Sequence, residues 1–271
     1  AVVSKRKIDW KPHYASISDA LGDFDPGYVV IANKTSEHGE TLRKLKRGGF
    51  KGVVLVEKPL FSKVENVNVK GFKKVIVGYN LRFHPVLQKL KELLRKERII
   101  SFQAYAGGYL PDWRPQADYR KGYSASRRKG GGVLRDLSHE LDYTAWICGK
   151  CLSLTALGGH FSGLRITSDD VFAILMKTER CPVVSIQINY LDRVPRREIL
   201  VNTNRHTFKA DLIGNSLEVD GKIRAYKTER DDAFRAEHKA VFIGRDSVLC
   251  SAATGSKVMK TIDAAEIAVR K

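Results

Sequence analysis

The sequence predicts an α/β fold in two parts. A doubly wound parallel sheet occupies residues 1–85, and an α+β unit with a large, mainly antiparallel open sheet occupies residues 86–271. Uninterrupted apolar strands alternate with helical segments in the first part, the pattern of a parallel sheet buried on both faces. From Ile99 onward the texture changes to short strands separated by turn residues. With 271 residues, 43% of them hydrophobic, the chain is long enough for a large core in one or two domains.

The elements follow in order. Ala1-Val2-Val3, running into Ser4-Lys5-Arg6, reads as the end of a buried strand. GYVVIANKTSEH (27–38) has a four-residue apolar core and then a polar loop, and TLRKLKRGGF (41–50) is a helix stopped by Gly48-Gly49. KGVVLVEKPL (51–60) is a second continuous apolar strand, and KKVIVGYNLRFHP (73–85) a third strand with a turn. VLQKLKELLRKERI (86–99) predicts an amphipathic helix with Leu87, Leu90 and Leu94 inward. IISFQAYAGGYL (99–110) is a strand, and residues 173–193 hold two more around a polar turn. Residues 197–227 continue as short strands with turns at Gly214-Asn215 and Asp220-Gly221. A final helix over 255–271 is expected to pack back toward the first part.

The formal charge of +18 suits anionic partners such as nucleotides or sugar phosphates. The charge is spread along the chain with no RNP motif, zinc finger or basic arm, which makes nucleic acid a secondary reading. No run of eighteen apolar residues is present and the N-terminus has no signal-peptide core, so a cytoplasmic protein without membrane attachment is expected. Four cysteines do not make a disulfide framework in a chain of this size. The single CxxC, Cys148 and Cys151, has no second ligand pair, so no metal site is expected.

The densest chemical signal is GGGVLRDLSHELDY (130–143). As one helix from Val133, it places Leu134, Leu137, Leu141 and Ala145 on an apolar stripe and Asp136, His139, Asp142 and Tyr143 on the other side. That second side is either a chemical face or a solvated one. The glycines permit a tight turn with close approach to a ligand, or simply a flexible entry. Ligands of doubly wound sheets gather beyond the carboxyl ends of the strands, which here carry Ser4-Lys5-Arg6, Asn33-Lys34-Thr35 and Glu57-Lys58-Pro59. The loop 109–129 is long and aromatic, offering Tyr109, Trp113, Arg114 and Tyr123 for stacking on sugar rings or holding anions.

VEKPL after a parallel strand, GYNLRFHP about twenty residues on, and GGGVLRDLSHELDY opening a helix in a second domain together resemble the Gfo/Idh/MocA oxidoreductases. NYLDRVPRRE and VMKTIDAAE are similar to members from bacterial surface-sugar biosynthesis. The resemblance implies a Rossmann domain, an open-sheet domain that supports a homo-oligomer, and hydride transfer to or from a carbon of a nucleotide-linked or phosphorylated sugar. A catalytically silent nucleotide- or sugar-binding protein on the same fold is the alternative. Lys58 matches the family's catalytic lysine and His139 the acid/base; Asp136 is the expected orienter of the ring, although Asp142 could take that place. The cofactor would touch Ser4, Lys5, Arg6, Ala32, Asn33, Thr35, His38, Glu57 and Lys58. The substrate would touch Asn80, Arg82, Tyr109, Trp113, Arg114, Tyr123 and Asp142. The family's first strand and its GxGxxG turn have no counterpart in the sequence, as though the chain started one βα unit late. Two cations where an acidic residue would bind the ribose of NAD favour NADP. The resemblance also implies a cis bond before Pro59.

Overall fold

A computed structural model describes residues 1–6 and 8–269. The N-terminal part contains strands β1 (Val2–Val3) and β2 (His13–Tyr14), helix α1 (Ile17–Asp23), β3 (Tyr28–Ile31), α2 (His38–Arg47), β4 (Val53–Glu57) and β5 (Lys74–Gly78). Then come α3 (Pro85–Leu93), β6 (Ile99–Gly107), α4 (Val133–Asp136), α5 (His139–Cys148), β7 (Cys151–Gly159), β8 (Val171–Thr178) and β9 (Val183–Asn189). The chain finishes with β10 (Arg196–Thr203), β11 (Thr207–Asp211), β12 (Ser216–Val219), β13 (Lys222–Ala225), α6 (Asp232–Ile243), β14 (Cys250–Ser251) and α7 (Ala252–Ala268).

The first sheet has the order β14-β5-β4-β3. Its β3–β4 and β4–β5 pairs are parallel, and β14 returns from the far end of the chain to close one edge antiparallel to β5. The apolar runs are uninterrupted because both faces are covered. Val54, Val56, Val75 and Val77 join the main core with Leu42 and Leu45 of α2 and Ile262 of α7, while Ile76 packs with Ala233 and Ala240 of α6. Gly255 lets α7 lie directly on β5: a Cβ there would stand 2.5 Å from Val77 Cγ2.

The N-terminal strand departs from expectation. Ala1–Val3 is not the end of a buried strand: among the described residues β1 pairs only with β2, in a separate two-stranded parallel sheet, and Val3 is 42% exposed. The sequence reading also passed over α1, which is capped by Ser16 Oγ accepting the Asp19 amide at 3.1 Å.

The second sheet has the order β13-β12-β11-β10-β6-β9-β8-β7 and is antiparallel except between β6 and β9. One face is packed, as the alternation along β8 shows: Phe172, Ile174 and Met176 are buried, and Ala173, Leu175 and Lys177 are exposed. The turns fall at Asn215, Asp220 and Gly221, all with positive φ. Strand β7, with its mixed sequence CLSLTALGG, has no counterpart in the sequence reading. The outer face is open and carries Leu157, Leu175 and Leu200.

Leu87 and Leu90 of α3 and Leu94 of the 3-10 turn that follows it (Leu94–Lys96) are buried as predicted, although the α-helix stops at Leu93 rather than running to Ile99. Helix α7 begins three residues earlier than predicted, with Ser251 Oγ accepting the Thr254 amide at 3.2 Å; the last two residues of the predicted helix, 270 and 271, lie outside the described residues. No helix among the described residues is long and apolar enough to cross a membrane.

Candidate active site

The carboxyl end of β4 delivers Glu57 and Lys58, and the Lys58–Pro59 peptide is cis. Lys58 is partly buried, and its Nζ donates to the backbone carbonyl of Asp136 across the boundary between the two sheets. Burial lowers the Lys58 pKa; the nearby Asp136 charge opposes this and Arg197 reinforces it.

Asp136 is positioned by the glycine turn. Gly130 and Gly132 adopt positive φ, at 82° and 124°. Gly131 is confined for a different reason: a Cβ would lie 2.0 Å from Tyr123 O and 2.7 Å from Ser124 O, both rigid backbone atoms. The turn is therefore a close-packed junction rather than a flexible entry. Asp169 closes it by accepting the Leu134 amide on its carboxylate at 2.9 Å and the Val133 amide on its carbonyl at 3.0 Å. Gly131→Ala is expected to lower stability by about 2 kcal/mol or more, since the backbone must move. A denaturation midpoint equal to wild type would contradict that packing.

The helix that follows is not continuous. Helix α4 ends at Asp136, Leu137 takes φ −99° and ψ 34°, and α5 starts at His139. The break overturns the expected partnership in which Asp136 or Asp142 orients His139. The Asp136 carboxylate instead accepts the Tyr190 hydroxyl at 2.6 Å. Asp142 accepts two parallel bonds from Arg82, Nε and Nη2, each at 2.8 Å. His139 Nδ1 is buried without a hydrogen-bond partner among the described residues, and the ring packs edge-on to Tyr79, with centroids 5.5 Å apart. Burial, then the Lys58 and Arg197 charges, hold the His139 pKa well below 6.5. Nor is any side of this segment solvated: Asp136, His139, Asp142 and Tyr143 are all buried.

Arg82 and Asp142 are engaged with each other. Both are buried, and Arg82 Nη1 is spent on the Val248 and Leu249 carbonyls at 3.4 Å, so the pair joins the segment after β5 to α5 and to the approach to β14. Asn80, in the same 3-10 turn as Arg82 (Asn80–Phe83), is buried too.

The other substrate positions are divided. Trp113 is 40% exposed and meets Tyr190 edge-to-face at 5.2 Å, so the aromatic loop reaches the Asp136 side of the site. Tyr123 is partly buried, and its phenol pKa is raised by burial and by Asp136. Tyr109 lies under the guanidinium of Arg193, 3.4 Å from ring centroid to Cζ, and Arg114 is exposed.

Among the cofactor candidates, Ala32 and Asn33 are exposed at the end of β3, with Asn33 Nδ2 donating to Thr41 Oγ1 at 2.8 Å. Thr35 is buried in the turn before α2. His38 has both ring nitrogens engaged by backbone. It is buried, with Nδ1 3.1 Å from the Leu60 carbonyl and Nε2 3.2 Å from the Asn33 carbonyl, so it braces the loops after β3 and β4. Ser4 Oγ accepts the Arg6 amide at 3.0 Å, and Lys5 and Arg6 are exposed.

Three site residues escaped the sequence reading: Tyr190, Glu140 and Arg197. Arg197 Nε donates to Glu140 Oε1 at 2.9 Å. The segment NYLDRVPRRE contains both Tyr190 and Arg197, but nothing local in it says that their side chains reach α4 and α5.

A lysine at the end of a parallel sheet is set against an aspartate and a histidine on the two short helices that precede the large open sheet's β7, in a mixed α/β fold. The family model described as the GFO/IDH/MocA C-terminal domain matches residues 87–222, half of the chain, and the protein belongs to the Gfo/Idh/MocA family. The match covers β6 and the strands through β12 together with the glycine turn.

A curated relative from Bacillus subtilis (strain 168), "Putative oxidoreductase YteT", is 26% identical over 160 residues, 55% of this chain; the match spans 37% of that relative's length. Among solved structures, UDP-N-acetylglucosamine 3-dehydrogenase GnnA from Acidithiobacillus ferrooxidans superposes with a TM-score of 0.76 at 19% identity, over 95% of this chain and 82% of that one. Levoglucosan dehydrogenase in complex with NADH and levoglucosan superposes with a TM-score of 0.80 at 16% identity, over 95% and 82%. GenD2 from gentamicin A biosynthesis, in complex with NAD, gives 0.76 at 18% identity, over 96% and 80%. At these identities the likeness is one of fold.

Proposed function

We propose that the protein is a nicotinamide-dependent oxidoreductase that moves a hydride to or from a sugar carbon. The observation that carries this reading is the convergence of Lys58 and His139: a partly buried ammonium fixed on the Asp136 carbonyl beside an imidazole kept neutral. Family membership and the sugar and NAD(H) ligands named for the similar structures support it.

The strand ends fit the nicotinamide end of such a cofactor, with Ala32 and Asn33 exposed beyond β3 and Glu57 and Lys58 beyond β4. Residues 1–271 contain no glycine-rich diphosphate turn, so the fit extends to that end only. When bound, the nicotinamide supplies the hydride acceptor or donor.

The chain's own residues handle the proton. In the oxidative direction neutral His139 takes the hydroxyl proton, and the Lys58 ammonium donates a hydrogen bond to the oxygen as charge develops on it. Asp136 holds Lys58 through its carbonyl while its carboxylate, fixed by Tyr190, faces the same site. Trp113 offers an exposed aromatic face to a sugar ring. In this reading a preference for NADP rests on charge alone: Lys5 and Arg6 are exposed cations, but they follow β1, which lies outside the sheet that carries Lys58. A nucleotide-linked or phosphorylated sugar matches the charge of +18. Assembly would use the open sheet face with Leu157, Leu175 and Leu200, in the cytoplasm.

The test is nicotinamide absorbance with a panel of nucleotide-linked and phosphorylated sugars across pH. His139 becomes protonated, and oxidation fails, only when pH falls through its lowered pKa, below the ordinary 6.5. Lys58 loses its proton as pH rises through its lowered pKa, below the ordinary 10.5. The profile of kcat/KM should therefore be a bell whose acid limb lies under the histidine range and whose alkaline limb lies under the lysine range. His139→Gln should erase the acid limb; an acid limb that persists unchanged in that variant assigns the proton elsewhere.

A further inference from the structure

Glu140 and Arg197 form an ion pair that the mechanism above does not use. Glu140 is fully buried on the first turn of α5, yet its carboxylate makes a single side-chain hydrogen bond, to Arg197 Nε, and its Oε2 has no partner among the described residues. A buried carboxylate with one partner is costly to keep, and its return here is orientation: it fixes the plane of the guanidinium. Arg197 itself is 24% exposed in its side chain, and neither Nη1 nor Nη2 makes a hydrogen bond among the described residues.

The fork stands beside the histidine of the site, because its partner Glu140 is the residue that follows His139 in α5. Arg197 sits at the start of β10 on its packed face, opposite Ala106 of β6, and its charge is felt at both Lys58 and His139. Two cations, Lys58 and Arg197, thus face one site, and an anion placed between them would relieve their mutual repulsion. Two terminal nitrogens with a fixed plane match two oxygens on one carbon, the geometry of a carboxylate; a lone hydroxyl satisfies only one of them.

We propose that Arg197, oriented by Glu140, is a substrate-specificity residue that binds a carboxylate carried by the sugar, so that the preferred substrates are sugar acids. The inference rests on the sugar-oxidoreductase reading and names the class of sugar. The residue acts by holding the ring in place beside Lys58 and exchanges no proton.

UDP-glucose and UDP-glucuronate differ only at C6, in a hydroxymethyl against a carboxylate, and serve as the probes. Calorimetry on the full-length protein with NADP+ present should show UDP-glucuronate binding about tenfold or more tighter, the scale of a charge-assisted bidentate contact. Arg197→Gln should remove that difference, lowering UDP-glucuronate affinity by more than it lowers UDP-glucose affinity. Arg197→Lys, which keeps the charge and loses the fork, should retain only part of it.

Equal affinity of wild type for the two probes, including no binding of either, overturns the proposal. So does a preference that survives in Arg197→Gln, or an equal loss for both probes in that variant, which would assign Arg197 to the diphosphate they share. The underlying reading fails separately: a carboxylate preference that depends on Arg197, without hydride transfer to NADP+ from any sugar, keeps the binding role and removes the oxidoreductase. Hydride transfer with no preference does the reverse.

Discussion

Lys58→Met is expected to reduce turnover by roughly 10^2–10^4-fold, the range for removing one positioned proton-handling group. Methionine keeps the unbranched shape of the lysine stem and lacks only the terminal nitrogen position, so it cannot donate to the Asp136 carbonyl or to a reacting oxygen. The loss should fall on kcat more than on KM, because the hydrogen bond to the oxygen strengthens only as charge develops there. Thermal unfolding should move little, since Lys58 is only partly buried and surrenders a single hydrogen bond. Turnover within a factor of about three of wild type, well short of that range, would remove Lys58 from the mechanism.

The largest effect on stability is expected at Asp142. Removing its carboxylate with Asp142→Ala leaves the Arg82 guanidinium buried without a counter-charge, for which the cost is about 3–5 kcal/mol. In a chain of this size that corresponds to a fall in Tm of about 10 °C, read by calorimetry or circular dichroism. The paired change Arg82→Met with Asp142→Leu removes both charges and should recover most of the loss, because the desolvation of two ions disappears with their attraction. Recovery of stability without recovery of any substrate affinity would fit the bracing role; a selective rise in KM at full stability in either single variant would return these residues to the substrate.

The two predictions mark the boundary of what the sequence revealed. The parallel strands were legible because a strand covered on both faces has an unbroken apolar run, as VVLVE and KVIVG do. The eight-stranded sheet was legible in outline from its turn residues, and Lys58 from its place at a strand end. Asp142 was grouped with Asp136 and His139 because helix phase from Val133 assumed a single helix, whereas the break after Asp136 resets the phase. The bracing contacts of His38 were not legible because burial between two loops leaves no mark on a short polar segment. Arg197 was unreadable for a third reason: its partner Glu140 lies on another element, and only the packing of β10 against α5 brings them together. Strand β1 misled by composition, since three apolar residues cannot show what lies beside them.

The interrupted helix has a consequence for how the segment tolerates change. In an unbroken α-helix the Asp136 carbonyl would accept the amide of Glu140, four residues on. At the break the Glu140 amide turns to the Leu137 carbonyl at 3.4 Å instead, and the Asp136 carbonyl is the oxygen that receives Lys58. The irregularity is thus a vacated seat in the helical ladder, occupied by a side chain from the other sheet. Straightening residues 136–139 would give the seat back to Glu140 and unmoor the lysine without altering a single side chain of the site, so the spacing of this stretch constrains the protein as firmly as its composition.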